Sequence, residues 1–491
     1  MQDEQSLDSA ANTIDWRVEV EHRRNDLLED LKGLLRIPSV KDEQTMGQGH
    51  PMGREIGRAL NYMLELSQQA GFRTKNLDGY VGYAEFGDAR NERHIAVLCH
   101  LDVVPAGEGW TSPPFEPTIR EGKLFARGAI DDKGPTMASF YALRLLQELN
   151  LQTKSNIRLI FGTDEENTHL CMEHYKKLEK LPAIGFAPDA EFPIVHAEKG
   201  QINTKIVMKP SEERETAGDE GFSLLTFHAG GIANMVPDTA QAVIRGEQQA
   251  LSSLAEAFQS FFASRKRACH ANIDTAVSQV TLTVNGVSAH GMEPEKGVNA
   301  GLELIHFLRG ASFQSDADRY VACLDTYLFE DCLGQRLGAA YEDDISGPLT
   351  INSGIMQFEV DGEAFFHINL RFPVTDHEDR ILAKIAEATA NYGFAIEPPN
   401  IKKPHHVDRN HPMIHRMQRI YAEETQLEPA LLTTGGGTYA AHIPSGVAFG
   451  PLFPGQESTA HQRDEYMVVD DILTATVIYA RAMYELANLE E

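Results

Sequence analysis

Cysteine is scarce in this sequence. There are five in 491 residues, Cys99, Cys171, Cys269, Cys323 and Cys332, widely spaced and without a Cys-x-x-Cys pair. A disulfide framework and a thiolate zinc site are therefore not indicated; Cys99, in "HIAVLCH", reads as a small buried strand residue. Basic residues are also short: 44 Lys and Arg stand against 72 Asp and Glu, for a net charge of −28. That balance argues against a nucleic-acid binder, which tracks phosphates with clustered cations. No apolar run approaches the ~18 residues of a membrane span. The start, "MQDEQSLDSAANTID", lacks a basic segment followed by an apolar core. The expectation is a soluble cytoplasmic chain with no nucleic-acid or membrane partner.

What is present is ordinary globular material, 42% hydrophobic and 24% charged, long enough for about two or three domains. Between residues 16 and 200, helical patterns alternate with short apolar runs. Helices are expected in "HRRNDLLEDLKGLL" and, after Pro135, in "PTMASFYALRLLQEL"; strands are expected at "HIAVLCH", "IRLIFG" and "IGFAP". Such alternation predicts a mostly parallel sheet with helical crossovers. From about residue 201 to 399 the pattern changes to alternating strands such as "QVTLTVNGVSAH" and "AFFHINLRF" with helices between, an α+β block. The last ninety or so residues return to the first style, with "GVAFGP" as a strand and "DDILTATVIYARAMYEL" as a long amphipathic helix. An inserted domain inside a discontinuous one explains this order. The polar stretch "KPSEERETAGDEG" at 209–221 reads as an exposed loop.

Chemistry-bearing residues gather where strands of the first style end. "IAVLC" runs into His100 and Asp102, a His-x-Asp whose carboxylate can accept the free ring N–H of a metal-bound imidazole. "IRLIF" runs into the acidic triplet Asp164, Glu165 and Glu166, and "IGFAP" into Asp189. Asp131 and Asp132 lie in the glycine-flanked "ARGAIDDKGP" ahead of a helix, and His461 follows the strand "GVAFGP", in "ESTAHQRDEY". Ligands of open α/β sheets collect outside the carboxyl ends of the strands, so these loops can converge. Two histidines among carboxylates suit hard-to-borderline divalent metals. Each piece alone has a plainer explanation. A His-x-Asp is more often a structural pair, Asp131 fits a turn or cap, Asp189 after Pro188 fits a turn, and acidic triplets commonly decorate surfaces. The His-dense "PHHVDRNHPMIH" reads as structural, with Pro412 in the first turn of a helix. The ordered series is far more specific than any member.

That series, "HLDVVPAGEGW", "ARGAIDDKGP", "GTDEEN", "APDAEFP" and "ESTAHQRDE", resembles the M20 family of di-metal peptidases and deacylases. "FAPDAEFP", "NMVP", "GGGTY" and "RIPSV" resemble its bacterial PepV-like dipeptidase branch. The likeness spans roughly residues 27–486. It implies an α/β fold: a discontinuous di-zinc hydrolase domain with a mixed, mostly parallel sheet (13–200 and 402–491), plus an inserted α+β lid (201–401).

Carried onto this sequence, the resemblance implies two zinc ions per chain, with Mn2+ or Co2+ as possible substitutes. Asp131 would bridge them, His100 and Asp189 would complete one, and Glu166 and His461 the other, with a cis Asp131–Asp132 peptide. Glu165 would be the general base and Asp102 the partner of His100. In the lid, His290 of "VSAHGMEP" would stabilise the oxyanion, while Asn234 and Arg371 would bind substrate. Gly435, Gly436, Gly437 and Thr438 would offer backbone N–H groups to its carboxylate. Ala440 and Ala441 stand where many relatives carry Arg or Lys shortly after the tyrosine, here Tyr439. The implied activity is a zinc-dependent dipeptidase acting on dipeptides or short peptides. The alternatives are an N-acyl-amino-acid deacylase, such as a succinyl-diaminopimelate desuccinylase, and a catalytically silent metal-dependent binding protein. Intact Glu165 and His290 weigh against the last. The long insertion implies a monomer, with His290 serving its own chain.

Overall fold

The computed structural model describes residues 14–211, 221–313 and 315–489. The expected domain start at Thr13 and most of the expected loop at 209–221 lie outside these residues. The chain folds as two compact units. Among the described residues, the first comprises 14–197, His406–Thr433 and 437–489; the second comprises those of Glu198–His405 with Thr434–Gly436.

The first unit contains helices α1 (Trp16–Glu21), α2 (Arg24–Leu35), α3 (Arg54–Gln69), α4 (Lys133–Glu148), α5 (Leu170–Leu178), α6 (Pro412–Thr425) and α7 (Val469–Ala487). Its large sheet is built from β1 (Arg73–Leu77), β2 (Val81–Phe86), β3 (His94–His100), β4 (Asn156–Gly162), β5 (Ile184–Ala187), β6 (Ile194–Glu198), β7 (His405–His406), β8 (Leu431–Thr434) and β9 (Ser445–Ala448). The strand order is β1-β2-β4-β3-β5-β9-β6-β7, with β8 also on β6. The four central strands β4, β3, β5 and β9 are parallel. Antiparallel pairings flank them, β1 with β2, β2 with β4 and β9 with β6.

The centre is parallel because its strands are apolar on both faces. Every residue of β4 is buried, as is β3 after its first residue, the pattern of strands covered by helices on each side. Helices α4 and α7 pack on one another and are buried along most of their length. α4 begins at Lys133 rather than after Pro135. The start is anchored by the Lys133 ammonium, which is fully buried and donates to the carbonyls of Ile37 at 2.6 Å and Leu34 at 3.4 Å. These lie at the C-terminal end of α2, where a helix dipole favours a cation. The helix expected from His22 begins at Arg24, and a break at His22 and Arg23 separates it from α1. Pro412 opens α6 as expected, with His411 as the N-cap. Cys99 is buried in β3.

The second unit is α+β. Its nine-stranded sheet runs Cys269–Asp274, Gln279–Asn285, Thr239–Arg245, Ser223–Ala229, Thr350–Glu359, Ala364–Phe372, Gly200–Met208 and Phe394–Ile396, with Asn400–Lys402 also pairing with Gly200–Met208. All these pairings are antiparallel. Strict alternation of burial along Gly200–Met208 fits one face on the core and one facing outward. The strand expected to reach His290 ends at Asn285.

Candidate metal centre and active site

Register brings the acidic loop beside the first histidine. β3 and β4 pair in parallel from His94↔Asn156 to His100↔Gly162, so both strands end level. β5 joins β3 at Ala96↔Gly185 and Val97↔Phe186, which delivers Asp189 to the same end. Gly162 is required there: a Cβ on it would lie 2.3 Å from a ring carbon of Tyr439.

Asp131 is the hub. Its Oδ1 lies 3.0 Å from His100 Nε2 and its Oδ2 lies 2.9 Å from His461 Nε2, one oxygen to each imidazole. His461 Nε2 is also 3.0 Å from Glu166 Oε2, and His100 Nε2 is 3.7 Å from Asp189 Oδ2. Donor atoms of His100, Asp131 and Glu166 converge within 4.8 Å, as do those of His100, Glu165 and Asp189. The Asp131–Asp132 peptide is cis. All five sequence-expected ligands are therefore neighbours, with Glu165 among them.

The electrostatics show a site short of positive charge. Burial pushes Glu166 up to about 8, and the nearby Asp131 charge adds to it. Burial likewise lifts Asp189 to about 7, against the pull of His100. Hydrogen bonds to Asp131 and Glu166 raise His461 to about 11. Burial opposes the charged form of His100, but Asp102, Asp131 and Asp189 outweigh it and raise its pKa well above the ordinary range. Burial opposes ionisation of Asp131 too, yet the two histidines hold it well below the usual carboxylate range. Two imidazoles cannot neutralise this many buried carboxylates, whereas divalent cations can. Glu166 Oε1, buried with no hydrogen-bond partner among the described residues, offers a further donor atom. The residues present fit a metal centre.

The supporting contacts correct one expectation. His100 Nδ1 faces the main-chain carbonyl of Asp102 at 2.9 Å, while the Asp102 carboxylate is 3.5 Å away. That carboxylate instead accepts the backbone N–H groups of Glu165 and Glu166, each at 3.1 Å. The main chain fixes the histidine, which leaves the side chain to brace the acidic loop. Asp164, fully buried, accepts from Lys41 at 2.9 Å, from Thr168 and from the Leu170 backbone at 3.1 Å. It builds the turn from which its two neighbours project.

Glu465 was not foreseen, though it lies four residues after His461. It is fully buried and grips the loop that presents Asp131. Oε2 accepts from Arg127 at 2.6 Å and the Gly128 amide at 3.1 Å; Oε1 accepts from the amides of Ile130 at 3.0 Å and Asp131 at 3.2 Å. Among ordinary acidic residues in a charged stretch, no local pattern marks it. Its partners lie about 335 positions away in the chain.

In the second unit, the segments bearing Asn234 and His290 are tied together. Gly291 N–H donates to Asn234 O at 2.7 Å, Val236 N–H donates to Ala289 O at 2.9 Å, and Met235 bridges to His290. Asn352 donates to the carbonyls of Ala233 at 3.2 Å and Met235 at 2.9 Å, holding the Asn234 loop from both sides. Arg371 is 4% exposed, and its Nε and Nη1 are buried with no hydrogen-bond partner among the described residues. Burial lowers its pKa to about 10. Gly435 lies against it: a Cβ there would sit 3.6 Å from Arg371 Cγ and 3.0 Å from Met292 Cβ. One expected backbone donor is already used, since Gly436 N–H donates to Thr434 Oγ1 at 2.9 Å within the loop. The Thr438 hydroxyl accepts the Ala440 N–H at 3.1 Å and caps the short helix Tyr439–His442. Gly437 and Thr438 belong to the first unit, Gly435 and Gly436 to the second.

Peptidase family M20/M25/M40 matches residues 96–485, a span that includes His100, Asp131, Glu165, Glu166, Asp189 and His461. The chain belongs to this family. It is a metallopeptidase of the M20 type, a hydrolase of peptide bonds. A Bacillus subtilis (strain 168) protein named "Putative dipeptidase YtjP" is 42% identical over 475 residues, 97% of this chain and 100% of that protein. A Staphylococcus aureus (strain N315) protein with the same kind of name is 37% identical over 471 residues, 96% and 99% of the two chains. Two solved structures match nearly the whole chain. The Saccharomyces cerevisiae di-peptidase Dug1p has a TM-score of 0.58 at 14% identity, covering 97% of this chain and 98% of that one. The aminoacylhistidine dipeptidase of Vibrio alginolyticus has a TM-score of 0.55 at 13% identity, covering 95% and 97%. At those identities the likeness is one of fold. No helix among the described residues is long and apolar enough to cross a membrane.

Proposed function

We propose that this M20 peptidase is a zinc-dependent dipeptidase, with Asp131, His100, Asp189, Glu166 and His461 as the ligands of two zinc ions. The observation that carries the reading is the division of Asp131 between the two histidines, one carboxylate oxygen each, with Glu165 close by. When bound, the ions supply Lewis acidity, acidifying a water and polarising the scissile carbonyl. Glu165 takes the proton of the attacking water and returns it to the leaving amine. Asp102 holds the backbone of the acidic loop, so that Glu165 and Glu166 point to different tasks.

The second unit binds the substrate. A buried guanidinium whose Nε and Nη1 have no partner among the described residues calls for an anion, and Arg371 is matched by a C-terminal carboxylate, which it can grip in bidentate fashion. The backbone at Gly435 and the side chain of Asn234 complete that grip, and His290 is the donor to the oxyanion as it develops. The names of the relatives at 37–42% identity support dipeptides as the substrate class. The chain acts in the cytoplasm. The test is turnover of a panel of dipeptides, tripeptides and N-succinyl amino acids. The expected result is highest kcat/KM on dipeptides. Faster hydrolysis of the N-succinyl substrates would replace the dipeptidase with a deacylase.

A further inference from the structure

Glu165 is backed by two imidazoles that the reaction scheme above does not use. His169 Nε2 lies 3.4 Å from Glu165 Oε1, and His169 Nδ1 lies 2.9 Å from His442 Nε2. Neither ring belongs to the donor groups that converge within 4.8 Å at the metal centre. The three side chains form a chain of contacts, Glu165 to His169 to His442.

This chain of contacts is built. His169 occupies the N-cap position of α5 with φ of 57°, left-handed backbone that non-glycine residues seldom adopt, and its side chain makes no cap bond. Its own N–H donates to Asp164 O at 2.8 Å, which fixes the turn. The ring stands edge-on to Tyr439, with centroids 5.1 Å apart and planes at 85°, and Tyr439 is 1% exposed. The Tyr439 hydroxyl in turn accepts the Asp164 N–H at 3.3 Å and lies 2.8 Å from Cys171 Sγ. His442 ends the short helix that Tyr439 begins. The imidazole is therefore walled and oriented by the same residues that shape the acidic loop. An unfavourable backbone conformation at the residue whose ring faces the base points to a positioning task.

We propose that His169, held by His442, is a positioning residue for the general base. A carboxylate only accepts, so His169 Nε2 carries the proton of the contact with Glu165. In the neutral ring Nδ1 then accepts, and His442 Nε2–H is its donor. The tautomer of one imidazole is set by the other. The contact engages Oε1 of Glu165 and fixes the plane of its carboxylate, leaving the second oxygen to take the proton. This is the arrangement by which a buried orienter holds a catalytic group in one tautomer and one direction.

The inference rests on Glu165 being the base, and the test separates the two. Wild type, His169→Leu, His169→Gln, His442→Leu and the double Leu variant are compared for kcat, KM and bound zinc on one dipeptide. The expected outcome is a kcat about 10–100-fold lower for His169→Leu, with KM and zinc content unchanged. His169→Gln, whose amide N–H can donate to Glu165, recovers most of the loss. His442→Leu gives a smaller loss that disappears in the His169→Leu background. An unchanged kcat in His169→Leu, or a Gln variant as slow as the Leu variant, overturns the proposal. If His169→Leu loses zinc, His442→Leu decides: wild-type kcat there overturns it, and a lowered kcat with full zinc supports it. Failure of the base assignment would show separately, as turnover in Glu165→Gln.

Discussion

In the proposed reaction two adjacent glutamates divide the work, and two buried aspartates hold the backbone that carries them. Asp164 builds the turn and Asp102 holds the amides of Glu165 and Glu166, so the side chains leave a fixed backbone in different directions. Glu166 faces His461 and Glu165 faces His169. On this account Glu165→Gln lowers kcat by about 10²–10⁴-fold while both metals remain bound, because the base is not a ligand. Elemental analysis of the purified variant alongside its turnover checks this. Loss of metal in step with activity would make Glu165 a ligand instead.

At the scale of elements, strand ends carry the site and loops aim it. The runs at "HIAVLCH", "IRLIFG", "IGFAP" and "AFFHINLRF" are strands where the sequence suggests them, since each is short, apolar and bounded by turn residues. The five proposed ligand positions could be picked out because His100, Glu166 and Asp189 come at or just after such strands, Asp131 comes just before a helix, and His461 sits in a motif of its own. β1, β2 and β6 were not read: β1 and β2 pair antiparallel at the sheet margin, where polar positions break the apolar signal. The Glu465 clamp and the His169–His442 pair are tertiary contacts between distant segments, with no period or spacing to mark them. Glu465 anchors four donors on one loop. Glu465→Gln removes the charge opposite the buried Arg127 and is expected to destabilise the first unit by about 3–5 kcal/mol. Urea unfolding followed by fluorescence reads this; an unchanged midpoint would mean the clamp contributes little.

For the whole molecule, the size of the inserted block bears on oligomeric state. The second unit spans about two hundred residues, and we propose that it serves its own chain, so that a monomer is complete. Mixing Glu165→Gln with His290→Ala tests this, and activity regained by the mixture would place His290 in the site of a second copy. The central claim is that the strand-end cluster is a two-zinc centre on which peptide hydrolysis depends. Its most direct test is to strip the purified chain with a chelator and titrate zinc back while following dipeptide turnover. The account predicts no turnover without metal and a rise that saturates at two equivalents per chain; turnover that survives chelation, or is complete at one equivalent, would contradict it.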